Sequence, residues 1–431
     1  MRNQAPPIIS QARGKAIQLK NDCFAEVISD SGDTELPFCL PGEEVAFEKV
    51  QYPKKTNTYF KEIIKASHER QDATCIHFTT CGGCILQHAS EGFYKEFKTG
   101  LLTQAFLENG LNPYIIQPIK VVPPGQRRRA NLEAIKKGDK LFMGFHRLQS
   151  HQIIDMQECP VLTPSLQNAL PHLRFALENL LEPFQKAKIF ILDLDSTVDI
   201  GIEIQGINHL TDVQRDLLKS IAETAKWSRL QFRHRKIYDV LWQTSPITID
   251  FGPLAVEADP WAFLQASQLA QTWMQEIIST ALGKKAENHL NLIDLFSGRG
   301  TFSGILLQYG KVKAYEGDAK AIQQLDFAGK NYDISAESRD LFTSPLSTDD
   351  LNKYDATVIN PPRAGAQAQI EELSVSKVPL VIYVSCNPNS FARDAKTLEK
   401  GGYILETAHP IDQFLWAAHL ETVGIFRKDK H

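Results

Sequence analysis

Hydrophobic and polar positions along the chain fall into different rhythms in different regions. Through residues 1 to about 70, short alternating segments such as CFAEVISD and EEVAFEKV are parted by turn-rich stretches, SDSGDTELP and CLPGEE. Alternation with a period of two turns one face of each strand inward, and short strands with frequent turns predict a small β-barrel. From about residue 251 the pattern changes. The apolar β-runs NLIDLF, KVKAYE, YDATVIN and PLVIYVS read as buried parallel strands, and they alternate with the helical patterns TFSGILLQY, DAKAIQQLDFAGKN and NSFARDAKTLEKGG. That alternation predicts a Rossmann-like, doubly wound α/β sheet. Residues 71–250 mix strands and helices without repeats or low-complexity tracts. The expected architecture is therefore α/β overall: an OB-like barrel (1–70), a mixed α+β middle (71–250) and a doubly wound domain (251–431).

Composition agrees with a folded chain of this size. The 431 residues are 43% hydrophobic and 23% charged, which excludes a disordered protein. No apolar run reaches the length of about 18 that a membrane helix needs, and MRNQAPPIISQARGK lacks the apolar core of a signal peptide. A monomeric chain in the cytoplasm, away from membranes, is expected. Lys plus Arg number 47 against 51 Asp plus Glu, a formal net charge of -4, so the chain is not a generally basic nucleic-acid binder.

Charge is uneven, however. Within 120–150 stand Lys120, Arg127, Arg128, Arg129, Lys136, Lys137, Lys140 and Arg147 against only Glu133 and Asp139. Such a strip suits RNA phosphates, although a hairpin with solvated charges and KKGDK as its turn would produce the same pattern. Near the end of the barrel, Lys49, Lys54, Lys55, Lys61 and Lys65 interleave with Tyr52, Tyr59 and Phe60. Lysines hold phosphates and rings stack on bases, as a single-stranded RNA surface requires. Lysines that guard a β-edge would look alike.

Candidate chemistry concentrates in the last third. Asp294-Leu-Phe-Ser-Gly-Arg-Gly-Thr-Phe302 follows an apolar strand and opens a helical pattern. Gly298 and Gly300 let the backbone turn tightly and approach a ligand. Glu316 ends the next strand, 22 residues after Asp294, where a carboxylate can accept hydrogen bonds from ribose hydroxyls. Position 303 is Ser, so the third glycine of a dinucleotide fingerprint is missing, and no Walker A lysine is present. A dinucleotide or S-adenosylmethionine would fit. Asp340, in SRDLF, ends a third strand where it could meet an adenine. Asn360-Pro-Pro-Arg363 and Ser385-Cys386-Asn387-Pro388 also sit at strand ends, the edge where open α/β sheets bind ligands. Cys386 stands at a strand exit, and Asn-Pro after it can aim the side chain outward. It is a candidate nucleophile if its pKa is lowered.

Of the seven cysteines, Cys75, Cys81 and Cys84 have the spacing C-x5-C-x2-C, with Cys159 a distant fourth. Four thiolates so spaced can close around zinc or an iron–sulfur cluster, and spacing does not choose between them. Cys23 and Cys39 have no partners by pattern and are expected in the core.

Taken together, CIHFTTCGGCILQH, RRRANLEAI, DMQECPVL, FLQASQ, DLFSGRGTF, INPPRAGA, YVSCNPNSFARD and HLETV resemble the RNA uracil-5 methyltransferases that use S-adenosylmethionine. The resemblance runs from Cys75 to the C-terminus, and the first 70 residues look like a TRAM-type barrel. The long form is most similar to the branch that modifies 23S ribosomal RNA. The resemblance implies that Cys386 attacks C6 of the uracil and that Glu421 removes the C5 proton. It also implies that Gln265, Phe296, Thr301, Glu316, Asp340 and Asn360 hold the cofactor or target base, that Arg363 completes the base pocket, and that Cys75, Cys81, Cys84 and Cys159 hold a [4Fe-4S] cluster. Three positions depart from the family pattern. Asn360 replaces a usual Asp, Ser297 a frequent Cys and Ser267 a usual Asn. Asn360 can still accept a hydrogen bond through its carbonyl, but without the charge. Other readings are a transfer-RNA uracil-5 methyltransferase, an amino-group methyltransferase reading Asn-Pro-Pro, and a non-catalytic RNA-binding iron–sulfur protein. An amino-group enzyme would carry an aromatic residue where Arg363 stands. Keeping both Cys386 and Glu421 speaks against a retired enzyme.

Overall fold

A computed structural model describes residues 8–52, 55–195, 197–244, 246–283 and 290–429. The chain divides into two compact units. One comprises residues 1–98, 146–152 and 416–418; the other comprises 99–145, 153–415 and 419–431.

In the first unit, five antiparallel strands form a curled sheet in the order Thr34–Leu36, Ala25–Ile28, Ile8–Leu19, Glu44–Tyr52, Lys55–Lys65. The curl has a sequence cause. Gly14 lies so close to the neighbouring strand that a Cβ there would sit 2.6 Å from the Ile28 carbonyl oxygen. Ala16, Ala25, Val27, Leu36, Cys39, Val45 and Phe47 fill the inside of the curl, as the alternating pattern predicts for an OB-like domain. Cys23 and Cys39 are both buried. The stretch KVQYPKKTNTYFKEIIK holds the end of one strand and the whole of the next, paired with Val50 opposite Asn57. Lys54 and the side chain of Lys55 lie outside the described residues. Lys49 Nζ donates to the carbonyls of Ser31 and Gly32, and Lys61 pairs with Glu48, while Tyr52 and Tyr59 are exposed. Glu43 is fully buried and accepts from the Arg70 guanidinium and from the Leu40 and Ser67 amides. This ties the following loop to the sheet.

The second unit holds two large sheets. The first has six strands in the order Ile237–Gln243, Arg229–His234, Val198–Ile204, Lys186–Asp193, Arg129–Lys137, Lys140–Gly144. KKGDK is indeed a hairpin turn, with Lys137 paired to Lys140 and Gly138 at φ +60°. The second sheet has eight strands in the order Ile334–Ser338, Gly310–Glu316, Leu290–Leu295, Ala356–Ile359, Leu380–Ser385, Glu421–Lys428, Tyr403–Asp412, Lys120–Val121. Its first five strands are parallel and Glu421–Lys428 inserts antiparallel. Chain order reverses beside Leu290–Leu295, which makes the carboxyl end of that strand the switch point where such sheets bind ligands.

All four apolar runs form strands of this sheet, and two of the three helical patterns form full helices, Ala319–Gly329 and Pro388–Lys400. The third, TFSGILLQY, yields only the turn Ser303–Leu306. Gly304 abuts the hairpin Thr248–Phe251/Leu254–Glu257, where an added Cβ would fall 1.7 Å from the Phe251 carbonyl oxygen. Gly310 must already pair with Leu290 in the sheet. Five residues lie between the two constraints, too few for a second helical turn and a loop. Two segments before residue 251 also join this layer. Lys120–Val121 adds the edge strand beside Ile411–Asp412, and Leu102, Ala105 and Phe106 share a core with Phe391 and Leu398, Phe106 stacking on Phe391. Among the described residues, no helix is long and apolar enough to cross a membrane.

Candidate active site

Each strand of the parallel sheet delivers a loop to the same edge. After Leu290–Leu295 the chain makes three left-handed steps, at Phe296 (φ +58°), Gly298 (φ +56°) and Gly300 (φ +94°). Left-handed backbone costs a phenylalanine energy, and such strain concentrates at functional turns. Glu316 braces the turn from the next strand: its carboxylate accepts from the Gly298 amide at 3.0 Å and the Asp318 amide at 2.9 Å. The Phe296 ring meets Phe342 in a tilted contact, centroids 5.2 Å apart, beside exposed Asp340, which accepts from the Phe342 amide. Arg299 is buried and donates to Asp259 at 3.0 Å and to the Glu257 carbonyl at 2.6 Å. Thr301 offers its carbonyl to Gln275.

Two buried oxygens in this loop, Asp294 Oδ1 and Ser297 Oγ, have no hydrogen-bond partner. Burial pushes the Asp294 carboxyl up to about 7, although Ser303 Oγ donates to its other oxygen at 2.6 Å. Unsatisfied buried oxygens are rare in folded proteins. With the Glu316 carboxylate on the next strand, these acceptors suit the hydroxyls of a nucleoside cofactor.

The next two loops are tied together. Asn360 donates its amide to the Leu295 carbonyl, while Asn387 Nδ2 and Ser390 Oγ both donate to the Arg363 carbonyl at 3.2 Å. The Arg363 side chain is exposed. Antiparallel pairing sets Ser385 opposite Thr422. The following residue of one strand, Cys386, and the preceding residue of the other, Glu421, are thereby brought to the same sheet end. Glu421 is 4% exposed, and Cys386 is half-buried.

The electrostatics differ from the lowered thiol pKa expected for a nucleophile. Burial pushes the Cys386 thiol up to about 11; Glu421 pushes in the same direction and Arg363 opposes both. The free protein therefore holds this cysteine as a thiol. Burial also pushes the Glu421 carboxyl up to about 7, with the hydrogen bond from Gln413 working the other way. A carboxyl poised there can take and return a proton near neutrality.

Gln265 and Glu421 are joined by a residue that no sequence pattern singled out. Gln413 Nε2 donates to Gln265 Oε1 at 2.7 Å and to Glu421 Oε1 at 2.8 Å, and Gln413 Oε1 accepts from the Ala266 amide at 2.9 Å. Its only signal in the sequence is its place just past a strand end. Arg128 supports the same segment. It is 6% exposed, donates to the Gln265 carbonyl at 3.0 Å and to Gln271 at 2.7 Å, and also bonds Gln268. Arg128 thus leaves the predicted RNA strip and becomes an internal strut. Its neighbours Arg127 and Arg129 line a cavity of about 170 Å³ with Asn131, Phe145, Phe263 and Phe414.

The cysteines expected to bind metal behave differently. Cys75, Cys81 and Cys84 lie half-buried on one loop of the first unit. Cys81 Sγ accepts from the Gly83 amide at 3.4 Å, and burial, with Cys75 adding to it, raises the Cys81 thiol. Gly82 donates to the His146 carbonyl and has no room for a side chain without crowding Leu148. Cys159 is buried in the second unit. Among the described residues, no three His, Cys, Asp or Glu side chains form a group able to hold a metal ion.

A strand-end glycine turn, an acidic second strand and a parallel sheet closed by an antiparallel strand define a methyltransferase of the Rossmann-like class. The narrower assignment comes from comparison with known proteins. A family model described as tRNA (Uracil-5-)-methyltransferase matches residues 256–430. An RNA methyltransferase of Agrobacterium fabrum is 37% identical over 407 residues, covering 92% of this chain and 94% of that one. The 23S rRNA (uracil(1939)-C(5))-methyltransferase of Halomonas elongata is 29% identical, covering 89% and 82%. In fold, the chain matches the Pyrococcus abyssi tRNA (uracil-54, C5)-methyltransferase, solved with S-adenosyl-L-homocysteine. The TM-score is 0.71 at 22% identity, with 96% of this chain and 100% of that one covered. The chain belongs to the RNA uracil-5 methyltransferase family.

Proposed function

We propose that this enzyme transfers a methyl group from S-adenosylmethionine to C5 of a uridine in 23S ribosomal RNA, through a covalent bond between Cys386 and C6 of the base. The observation that carries the reading is the register of Leu380–Ser385 against Glu421–Lys428, which brings a thiol and a buried carboxyl to one sheet end. The cofactor supplies an electrophilic methyl on a sulfonium. Phe296, Thr301, Glu316 and Asp340 would hold it, with Gln265 and Asn360 between cofactor and base. Arg363, exposed beside Cys386, would meet negative charge on the uracil oxygens. Rings and guanidiniums in the neighbouring cavity suit a nucleobase and its phosphates.

Uracil is a poor carbon nucleophile. Addition of the Cys386 sulfur to C6 moves the C5=C6 electron pair into an enolate whose C5 can take the methyl group. C5 then carries both methyl and hydrogen. Glu421 removes the hydrogen, the C5–H electrons re-form C5=C6, and the sulfur leaves. Because the free thiol is held protonated, its proton must go as the base docks. That proton passes to water, which leaves the ionised Glu421 carboxylate free to take the C5 proton later.

The ribosomal substrate is favoured by the Halomonas relative and by the OB-like first unit, while the family model and the Pyrococcus fold match carry transfer-RNA names. Mapping 5-methyluridine in ribosomal and transfer RNA, with and without the gene, decides between them. Loss from 23S rRNA alone supports the proposal; loss from transfer RNA alone replaces it. Cys75, Cys81, Cys84 and Cys159 would hold a [4Fe-4S] cluster with a structural role. The support is the thiol chemistry of the set and the amide of Gly83 directed at Cys81 Sγ. Iron and acid-labile sulfide in anaerobically purified protein test it, and zinc without iron would overturn it.

A further inference from the structure

Gln413 is 3% exposed, and both N–H donors and the carbonyl oxygen of its amide are engaged. The oxygen must face the Ala266 N–H, so the NH2 group must face Gln265 and Glu421. That orientation follows from the network and is not a matter of choice. The backbone that carries Gln265 is held in turn, because Arg128 donates to the Gln265 backbone carbonyl and is itself fixed by Gln268 and Gln271. Among the described residues, no other group hydrogen-bonds the Glu421 carboxyl.

Resting on the reading of Glu421 as the base, we propose that Gln413 is its positioning residue: it occupies Oε1, so that Oε2 alone is left to take the C5 proton. In that step Oε2 gains the proton and the C5–H pair becomes the C5=C6 bond. The C6–S pair returns to Cys386, and Glu421 leaves as the neutral acid. A carboxyl free to rotate would present either oxygen, at varying angles, and proton abstraction is sensitive to such placement. The same hydrogen bond favours the ionised carboxylate, the form that acts as base.

Two variants separate this role from mere packing. Gln413→Met keeps the length and loses the amide. Gln413→Glu keeps an acceptor for the Ala266 amide and loses both donors. Each is mixed with substrate RNA and methyl-labelled S-adenosylmethionine under single-turnover conditions, at several pH values. Label in a denaturation-stable protein–RNA band is then followed against label in free RNA. In both variants we expect release of methylated RNA from the covalent band to slow by about 10-fold or more. Band formation should slow far less, and the half-maximal pH for release should move upward in Gln413→Met. Wild-type release rates in both variants, or equal slowing of formation and release, would overturn the role of Gln413. Absence of any covalent band in wild type and in Glu421→Gln would instead remove the underlying reading of Cys386 and Glu421.

Discussion

Glu421→Gln should make the protein more stable at alkaline pH while removing its activity. The carboxyl is buried, and its pKa is pushed from the ordinary 4.5 up to about 7. Between those values the native state keeps a proton that the unfolded chain has already released. Rising pH therefore favours unfolding, and the group's contribution is fully present below pH 4.5 and lost as pH passes 7. The gap of about 2.5 pH units corresponds to about 3 kcal/mol. The substituted amide is uncharged throughout and can still accept the Gln413 hydrogen bond through its carbonyl. Asp294, whose carboxyl is shifted similarly, is common to both proteins and cancels in the difference. The assay is paired urea unfolding of wild type and Glu421→Gln at several pH values from 4.5 to 8.5. The variant should gain about 3 kcal/mol relative to wild type across this range. A difference that stays flat with pH, or falls, would refute the account of Glu421 as a buried proton acceptor.

Other perturbations have equally definite outcomes. Arg128→Met should destabilise the protein by about 3 kcal/mol, because the Gln265 carbonyl, Gln268 and Gln271 lose one shared donor; the salt dependence of RNA binding should not change, since a buried arginine releases no counterions. Iodoacetamide should label Cys386 in the free enzyme very slowly at pH 7.5 and about tenfold faster per pH unit up to about 11, as peptide mapping would show. A Cys386 that reacts as fast as a low-pKa thiol would contradict its burial. Gly304→Ala should cost at least about 2 kcal/mol by thermal or urea unfolding, because its Cβ would meet the Phe251 carbonyl.

Much of the methyltransferase sheet is legible in the sequence because strands covered on both faces are rich in apolar residues, even though Lys311 at the start of one stays exposed. NLIDLF, KVKAYE, YDATVIN and PLVIYVS have no competing interpretation at their length. What failed to show were constraints set by distant partners. TFSGILLQY has helical periodicity, but the approach of the 248–257 hairpin to Gly304 limits it to one turn. Arg128 looks identical to Arg127 and Arg129 in the sequence; only the strand's alternation and the glutamines at 268 and 271 bury it. Cys386 could be identified as a strand-end thiol, yet its raised pKa comes from burial in the fold and then from Glu421, which is 35 residues away in sequence and brought to the same sheet end only through strand register. Gln413 is an uncharged amide outside any motif, so nothing before the fold marks it.

The most direct test of the central claim is trapping on RNA that carries 5-fluorouridine. Fluorine at C5 cannot leave as a proton, so a reaction through Cys386 must stop after methyl transfer, with protein and RNA joined. Incubation with S-adenosylmethionine, digestion and mass mapping should find the methylated, fluorinated nucleotide on the peptide containing Cys386, and Cys386→Ala should form no such adduct. Turnover on ordinary RNA with no adduct on the fluorinated strand, or an adduct at any other residue, would contradict the mechanism.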